Sequence, residues 1–144
     1  MRKTVRDVMT PKPRAVGRSS SVVEAARLME AEDVGSLPVV EVDEVLVGIV
    51  TDRDIAIRVV AAGRDPNSTM VGDVLTESLS CAYPDEPLDE ALEQMAYRRV
   101  RRLPVVEDDR LVGILAQADV VHEVKGKTAG QLVEEISQPT AETL

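Results

Sequence analysis

The sequence predicts an α/β fold of the α+β kind: two β-α-β-β-α repeats packed sheet to sheet about a pseudo-twofold axis. Two observations carry that prediction. The first is that the chain repeats itself. Val5-Arg6-Asp7-Val8-Met9-Thr10 is echoed by Val71-Gly72-Asp73-Val74-Leu75-Thr76, and Leu37-Pro38-Val39-Val40-Glu41 by Leu103-Pro104-Val105-Val106-Glu107, both at an offset of 66. Leu46-Val47-Gly48-Ile49-Val50 returns as Leu111-Val112-Gly113-Ile114-Leu115 at an offset of 65. The missing residue falls in an acidic turn, where a structural repeat tolerates deletion. The second observation is size. A unit of about 65 residues with a small sheet buries too little surface to stand alone, so two units must cover each other's sheets.

Local signals place each element in order. In repeat one a helical turn over Val5–Met9 leads to a short strand near Ala15-Val16. A helix from Val22 to Glu32 opens on the capping-box pattern Ser21-x-x-Glu24 and carries an apolar face of Val22, Ala25, Ala26 and Met29. Two strands joined by an acidic turn follow, the second being the apolar run Val45–Val50. The next helix passes through Ile55, Ile57, Val59 and Val60, with Gly63 placed to end it. Repeat two gives a turn over Val71–Leu75, a strand over Leu79–Ala82 and a helix from Leu88 to Arg99 with Pro87 in its first turn. The strand pair and a helix over Val120–Val124 complete it. Polar Arg64-Asp65-Pro66-Asn67-Ser68-Thr69 reads as a linker. The expected organisation is repeat one at 4–63, linker at 64–69, repeat two at 70–126 and a C-terminal tail at 127–144. In that tail Thr128-x-x-Gln131 can cap a short helix through Ile136. Packing about the pseudo-twofold is expected to leave one cleft per repeat, at its strand-to-helix junction.

The first junction is Gly48-Ile49-Val50-Thr51-Asp52-Arg53-Asp54, where an apolar strand stops at a hydroxyl and two carboxylates bracketing an arginine. Thr51 or Asp52 is the N-cap of the following helix. A strand running into a helix N-terminus presents free N–H groups and partial positive charge, a place for a phosphate or a ribose. The Asp54 carboxylate suits a ribose cis-diol, Thr51 can donate to a phosphate oxygen, and Arg53 or Arg58 can add a charge-assisted contact. The plainer alternative is N-capping and first-turn dipole stabilisation, worth about 0.3–1 kcal/mol. Arg98, Arg99, Arg101 and Arg102 form the one basic cluster. They either complement a helix C-terminus or bring Arg101 and Arg102 to a phosphate in a cleft.

Composition excludes several classes. A net charge of −9 argues against nucleic-acid binding, and the aromatic content of 1% removes stacking platforms. One cysteine, Cys81, and one histidine, His122, rule out a disulfide within the chain and argue against a zinc cluster or a nucleophile–base pair. Cys81 reads as a small buried hydrophobe. Without catalytic or metal sets the chain reads as a non-enzyme. Neither a signal peptide nor a membrane span is evident, so the expected location is cytoplasmic.

The ordered pattern D-V-M-T, E-A-x-x-x-M, L-P-V-V and L-V-G-I-V-T-x-x-D, given twice, resembles a tandem pair of CBS domains, a Bateman module, from Val5 to Val124. Gly35-Ser36-Leu37-Pro38, Thr51-Asp52-Arg53-Asp54 and Val100-Arg101-Arg102-x-Pro104 are similar to stand-alone bacterial pairs of the hypoxic-response type. The resemblance implies regulatory binding of AMP, ADP, ATP or S-adenosylmethionine in the inter-repeat clefts, with no cofactor required. It also implies that two chains join into a four-repeat disk. Carried over residue by residue, Thr51 and Asp54 touch ribose and phosphate in repeat one. In repeat two Asp119 matches, but Ala116 stands at the hydroxyl position. The small repeats independently point to a homodimer, and an unidentified protein partner is compatible with it. The alternative from another class is a ligand-free structural dimer.

Overall fold

The structure, a computed structural model, describes residues 3–77 and 80–123. In chain order its elements are α1 (Val5–Val8), β1 (Thr10–Pro11), β2 (Val16–Gly17), α2 (Val22–Glu32), β3 (Ser36–Glu41), β4 (Val45–Thr51), α3 (Asp52–Ile55), α4 (Leu88–Arg98), β5 (Arg102–Glu107), β6 (Arg110–Ala116) and α5 (Gln117–Glu123). Turns of 3₁₀ helix occupy Val42–Glu44 and Val71–Asp73, and a π-helical turn, Ala56–Val60, extends α3. The fold is α+β. The tail helix expected from Thr128 to Ile136 lies outside the described residues, as do Leu79 and Val124 of two expected elements.

Among the described residues the chain forms two compact units, neither a single stretch. One gathers the residues up to Pro13 with Ser80–Glu107 and those from Val112 onward; the other gathers Arg14–Leu79 with Asp108–Leu111. Each unit thus takes its first turn from the other repeat. In the first unit Val5 is fully buried with Leu88, Leu92, Met95, Leu103 and Leu115. The Val5 N–H donates to Glu86 O at 3.0 Å and the Leu88 N–H to Lys3 O at 3.0 Å, while β1 pairs antiparallel with β6. In the second unit Val71, Val74 and Leu75 join Val16, Val22, Val39, Val50 and Val59 in the core. The Val71 N–H donates to Ser20 O at 2.8 Å, and Thr76 exchanges backbone bonds with Ile49 at 2.8 and 3.0 Å. With neither Phe nor Trp in the chain, these cores rest on many medium-sized side chains, each contributing about 1.5–3 kcal/mol on burial.

Local chemistry explains the boundaries. The Ser21 hydroxyl accepts the Glu24 N–H at 3.1 Å and starts α2, whose buried face is Val22, Ala25 and Met29. Asp33 ends α2 in the left-handed region at φ 54°, and Arg99 ends α4 in the same way at φ 55°. The β5–β6 turn uses Asp108 and Asp109, both at positive φ, the two-residue form that matches strand twist. The β3–β4 connection is longer, Val42–Glu44, and a register shift at Val39/Val40 accompanies it. The extra residue of repeat one is absorbed in this hairpin.

Several elements differ from the sequence reading. The helix expected through Val60 is α-helical only over Asp52–Ile55. The Ala61 N–H then reaches back to Ala56 O, the five-residue spacing of a π turn, at 2.9 Å. Of its apolar residues, Val59 is buried but Ile57 and Val60 are exposed. The strand expected over Leu79–Ala82 amounts, among the described residues, to one bridge from Ala82 to Val105. The helix expected over Val120–Val124 begins earlier, at Gln117. Among the described residues no helix is long and apolar enough to cross a membrane.

Candidate functional site

At the β4-to-α3 junction the N-cap is Thr51. Its side-chain oxygen accepts the Asp54 N–H at 2.9 Å, and its own N–H donates to Asp54 Oδ2 at 3.0 Å, a reciprocal capping box. The box folds the Asp54 side chain back onto the end of β4. There the Thr76 hydroxyl donates to Oδ1 and Oδ2, each at 3.3 Å. Asp54 is in consequence 9% exposed, a carboxylate withdrawn from water and satisfied by hydrogen bonds. Gly48 makes the approach of Thr76 possible: a Cβ there would lie 2.7 Å from Thr76 O and from Leu75 Cδ1.

Arg58 sits four residues beyond Asp54, its Nε 3.9 Å from Asp54 Oδ1. Its Nη1 donates to Val74 O at 3.2 Å and Leu75 O at 3.0 Å. The guanidinium expected to meet a phosphate is therefore engaged with backbone carbonyls, holding the segment that carries Thr76. Arg53 is exposed, and its N–H donates to the neighbouring Asp52 carboxylate at 2.8 Å. So the structure brings Thr51, Asp54 and Arg58 together and adds Thr76, which sequence reasoning missed. The signal was present: Thr76 is the last residue of the echoed D-V-x-T segment, in register with Thr10.

The second junction, β6 to α5, keeps the backbone and changes the side chains. The Gln117 N–H donates to Arg101 O at 2.8 Å, as the Asp52 N–H donates to Gly35 O at 2.9 Å. Ala116 replaces Thr51 and offers no cap. Asp119 is exposed, and its carboxylate has no hydrogen bond among the described residues. Gln117 Oε1 is buried without a partner among them. Glu123, at the place of Arg58, pairs with Lys3 Nζ at 3.1 Å. Arg101 is exposed and Arg102 half-buried at the start of β5. Cys81 is half-buried, and burial pushes its thiol above the ordinary value, the behaviour of an inert thiol.

Two copies of one α+β repeat, each closing on a strand-to-helix junction with an aspartate in the first helical turn, define a tandem module. A family model of the CBS domain matches residues 5–61 and 71–126, and the chain belongs to the CBS domain family. It is 41% identical over 135 residues to the CBS domain-containing protein YhcV of Bacillus subtilis, covering 93% of this chain and 95% of YhcV. It is 36% identical over 138 residues to hypoxic response protein 1 of Mycobacterium tuberculosis, covering 96% of each. Among solved structures it resembles hypoxic response protein I with two coordinated zinc ions, at a TM-score of 0.77 and 36% identity over 85% of this chain and all of that one. CBSX2 in complex with AMP gives 0.72 and 33% identity, covering 83% and 94%. The CBS-domain pair of MJ0100, in complex with 5′-methylthioadenosine and S-adenosylmethionine, gives 0.70 and 30%, covering 85% and 96%.

Proposed function

We propose that the chain is a non-catalytic, cytoplasmic regulatory protein. It binds an adenosine-type ligand (AMP, ADP, ATP or S-adenosylmethionine) against the β4-to-α3 junction, works as a homodimer, and signals by a change of conformation or association. The observation that carries this reading is Asp54, a nearly buried carboxylate oriented by its capping box with both oxygens meeting a hydroxyl donor. A ribose diol offers donors of the same kind. To reach Asp54 it must displace the Thr76 hydroxyl, whose bonds at 3.3 Å are longer than the 3.0 Å cap bond. Thr76 belongs to the opening segment of repeat two, so ligand entry at the first junction has a direct route to that repeat. The AMP and S-adenosylmethionine complexes of similar CBS pairs support the ligand class.

One observation favours the ligand-free reading, a structural or interaction dimer: the acceptors of Asp54 are already taken by Thr51, Thr76 and Arg58. A thermal-shift panel of AMP, ADP, ATP and S-adenosylmethionine separates the two. A ligand at one hundred times its Kd adds about 2.7 kcal/mol to the folded state and raises Tm by several degrees. A panel in which no nucleotide moves Tm leaves the ligand-free dimer. A native mass spectrum of the protein as purified from cells identifies any nucleotide it retains.

A further inference from the structure

Arg58 is anchored through one nitrogen and keeps an edge unused. Its Nη1 donates to the carbonyls of Val74 and Leu75, at 3.2 and 3.0 Å. Nε stands 3.9 Å from Asp54 Oδ1, too far for a hydrogen bond, and neither Nε nor Nη2 donates to an acceptor among the described residues. Those two nitrogens form the side of a guanidinium that can grip two oxygens of one phosphate at once. The side chain is 51% exposed, so an anion can approach it.

The two carbonyls belong to the segment that Asp54 also holds. The Thr76 hydroxyl donates to Asp54 Oδ1 and Oδ2 at 3.3 Å, and Thr76 exchanges backbone bonds with Ile49. Segment 74–76 thus hangs on two side chains of opposite charge, Asp54 through a hydroxyl and Arg58 through carbonyls. All of these residues lie within one compact unit, in its stretch Arg14–Leu79. A ribose on Asp54 takes the place of Thr76 and cuts the first tie. A phosphate on the free edge of Arg58 strengthens the second, because a guanidinium held from both sides cannot swing away from the carbonyls.

We infer that Arg58 senses the charge at the 5′ position of the ligand and so sets the sign of the response of segment 74–76. An adenosine 5′-phosphate frees Thr76 but locks Arg58 onto Val74 and Leu75, and the segment stays held. Adenosine, or S-adenosylmethionine with a sulfonium cation at its 5′ carbon, frees Thr76 with nothing in exchange, and the segment loosens. The 3.9 Å from Asp54 Oδ1 to Arg58 Nε lies within the span of one nucleotide from diol to phosphate. The inference rests on the ligand reading above and adds the property of the ligand that is sensed.

The test is amide hydrogen exchange by NMR on the full chain, free and saturated with AMP, adenosine or S-adenosylmethionine, binding of each being checked by thermal shift. The amides of Ile49 and Thr76, which donate to each other's carbonyls, are read relative to the amides of α2. That ratio removes the general stabilisation any bound ligand brings. In wild type the two amides should exchange about tenfold or more slowly with AMP than with adenosine or S-adenosylmethionine. With the latter two they should exchange faster than in the free protein. Arg58→Gln, checked for folding by circular dichroism, should erase the difference and weaken AMP about tenfold or more while adenosine affinity holds. If that variant does not fold, the wild-type comparison decides alone. Equal exchange with AMP and adenosine, AMP that speeds exchange over the free protein, or a difference that survives Arg58→Gln overturns the inference and leaves the ligand reading standing. So does a chain that binds adenosine or S-adenosylmethionine but not AMP. A chain that binds none of the three overturns both.

Discussion

The hydroxyl of Thr76 donates to both carboxylate oxygens of Asp54 at 3.3 Å, joining residues 22 apart in the chain. Arg58 grips the two preceding carbonyls and Ile49 pairs with the Thr76 backbone, so the segment 74–76 is held from several sides around one aspartate. Asp54 therefore has two duties, closing the helix cap and anchoring this segment, and a ribose would compete for the second.

Substitution separates those duties. Asp54→Ala should lower stability by about 1–3 kcal/mol, through the lost cap and the lost charged hydrogen bonds. It should also weaken adenosine-ligand binding by about 1–3 kcal/mol in calorimetry. Thr76→Val removes only the competing donor: stability should fall by about 0.5–1.5 kcal/mol while affinity holds or improves. Equal ligand affinity in Asp54→Ala and wild type would reduce Asp54 to a cap. An affinity loss in Thr76→Val as large as that of Asp54→Ala would mean that Thr76 itself holds the ligand.

Gly48 and Gly113 are the repeat-related glycines at which another segment comes close. A Cβ at Gly48 meets backbone, Thr76 O at 2.7 Å, while a Cβ at Gly113 first meets Met9 Sδ at 2.6 Å and then Thr10 O at 3.0 Å. Overpacking of this kind costs about 1–3 kcal/mol. Urea melts should place Gly48→Ala at the upper end and Gly113→Ala below it, because the Met9 thioether can swing aside and a carbonyl cannot. A Gly48→Ala midpoint equal to wild type would show that the Thr76 segment is free to move away.

Sequence alone put the N-cap at Thr51 or Asp52 and gave Asp54 a ribose or first-turn dipole role; that it reached the neighbourhood of the cap and not the tie to Thr76 is a matter of range. Thr51 capping three residues ahead is a local event, and the strand, the hydroxyl and the carboxylate stand next to one another in the sequence. The extent of α2, Val22–Glu32, followed from Ser21 and the apolar spacing for the same reason. The engagement of Arg58 with Val74 and Leu75 depends on the chain returning after the linker, which no local pattern encodes. The exchange of first turns between units is of that kind too. Val5 and Val71 look alike in sequence, and nothing near either one says which repeat will bury it. The π turn at Ala56–Val60 escaped because its apolar residues fit an α-helical face equally well on paper; Ile57 and Val60 are exposed in the folded protein.

Asp7 provides a pH test at the far end of the chain. The Thr4 N–H donates to Asp7 Oδ2 at 2.9 Å and, with the Thr4 hydroxyl, Lys3 and Arg6, holds this carboxyl below its ordinary value of 3.8 despite a desolvation effect of opposite sign. A carboxyl depressed in the folded state adds stability that is present above its unfolded pKa and is lost as pH falls through the folded one. Melts of wild type and Asp7→Asn should therefore differ at neutral pH and converge below pH 3.8. Curves that stay parallel through the acid limb would show that the Asp7 bonds to Thr4 contribute nothing to folding.

The two junctions should not bind nucleotide equally, and the first should be the stronger. At the first, Thr51 caps, Asp54 is withdrawn from water and Arg58 lies on the same helical face. At the second, Ala116 gives no hydroxyl, Asp119 is exposed, and Glu123 puts a carboxylate where Arg58 would be. A unit charge about 6 Å from a phosphate, at an effective dielectric near 20, is worth about 3 kcal/mol before screening. Lys3 softens that penalty by pairing with Glu123 at 3.1 Å. But the two side chains are 56% and 38% exposed, and such a pair is weak enough for a phosphate to draw Lys3 away. Wild type should take about one tight nucleotide per chain. Glu123→Arg, which removes the carboxylate and frees Lys3, should strengthen a second site by about tenfold or more, and Lys3→Ala should weaken it further. Calorimetry returning two equal sites for wild type, or a crystal with its one nucleotide against Asp119, would invert the ranking and make the exposed aspartate the better ribose acceptor.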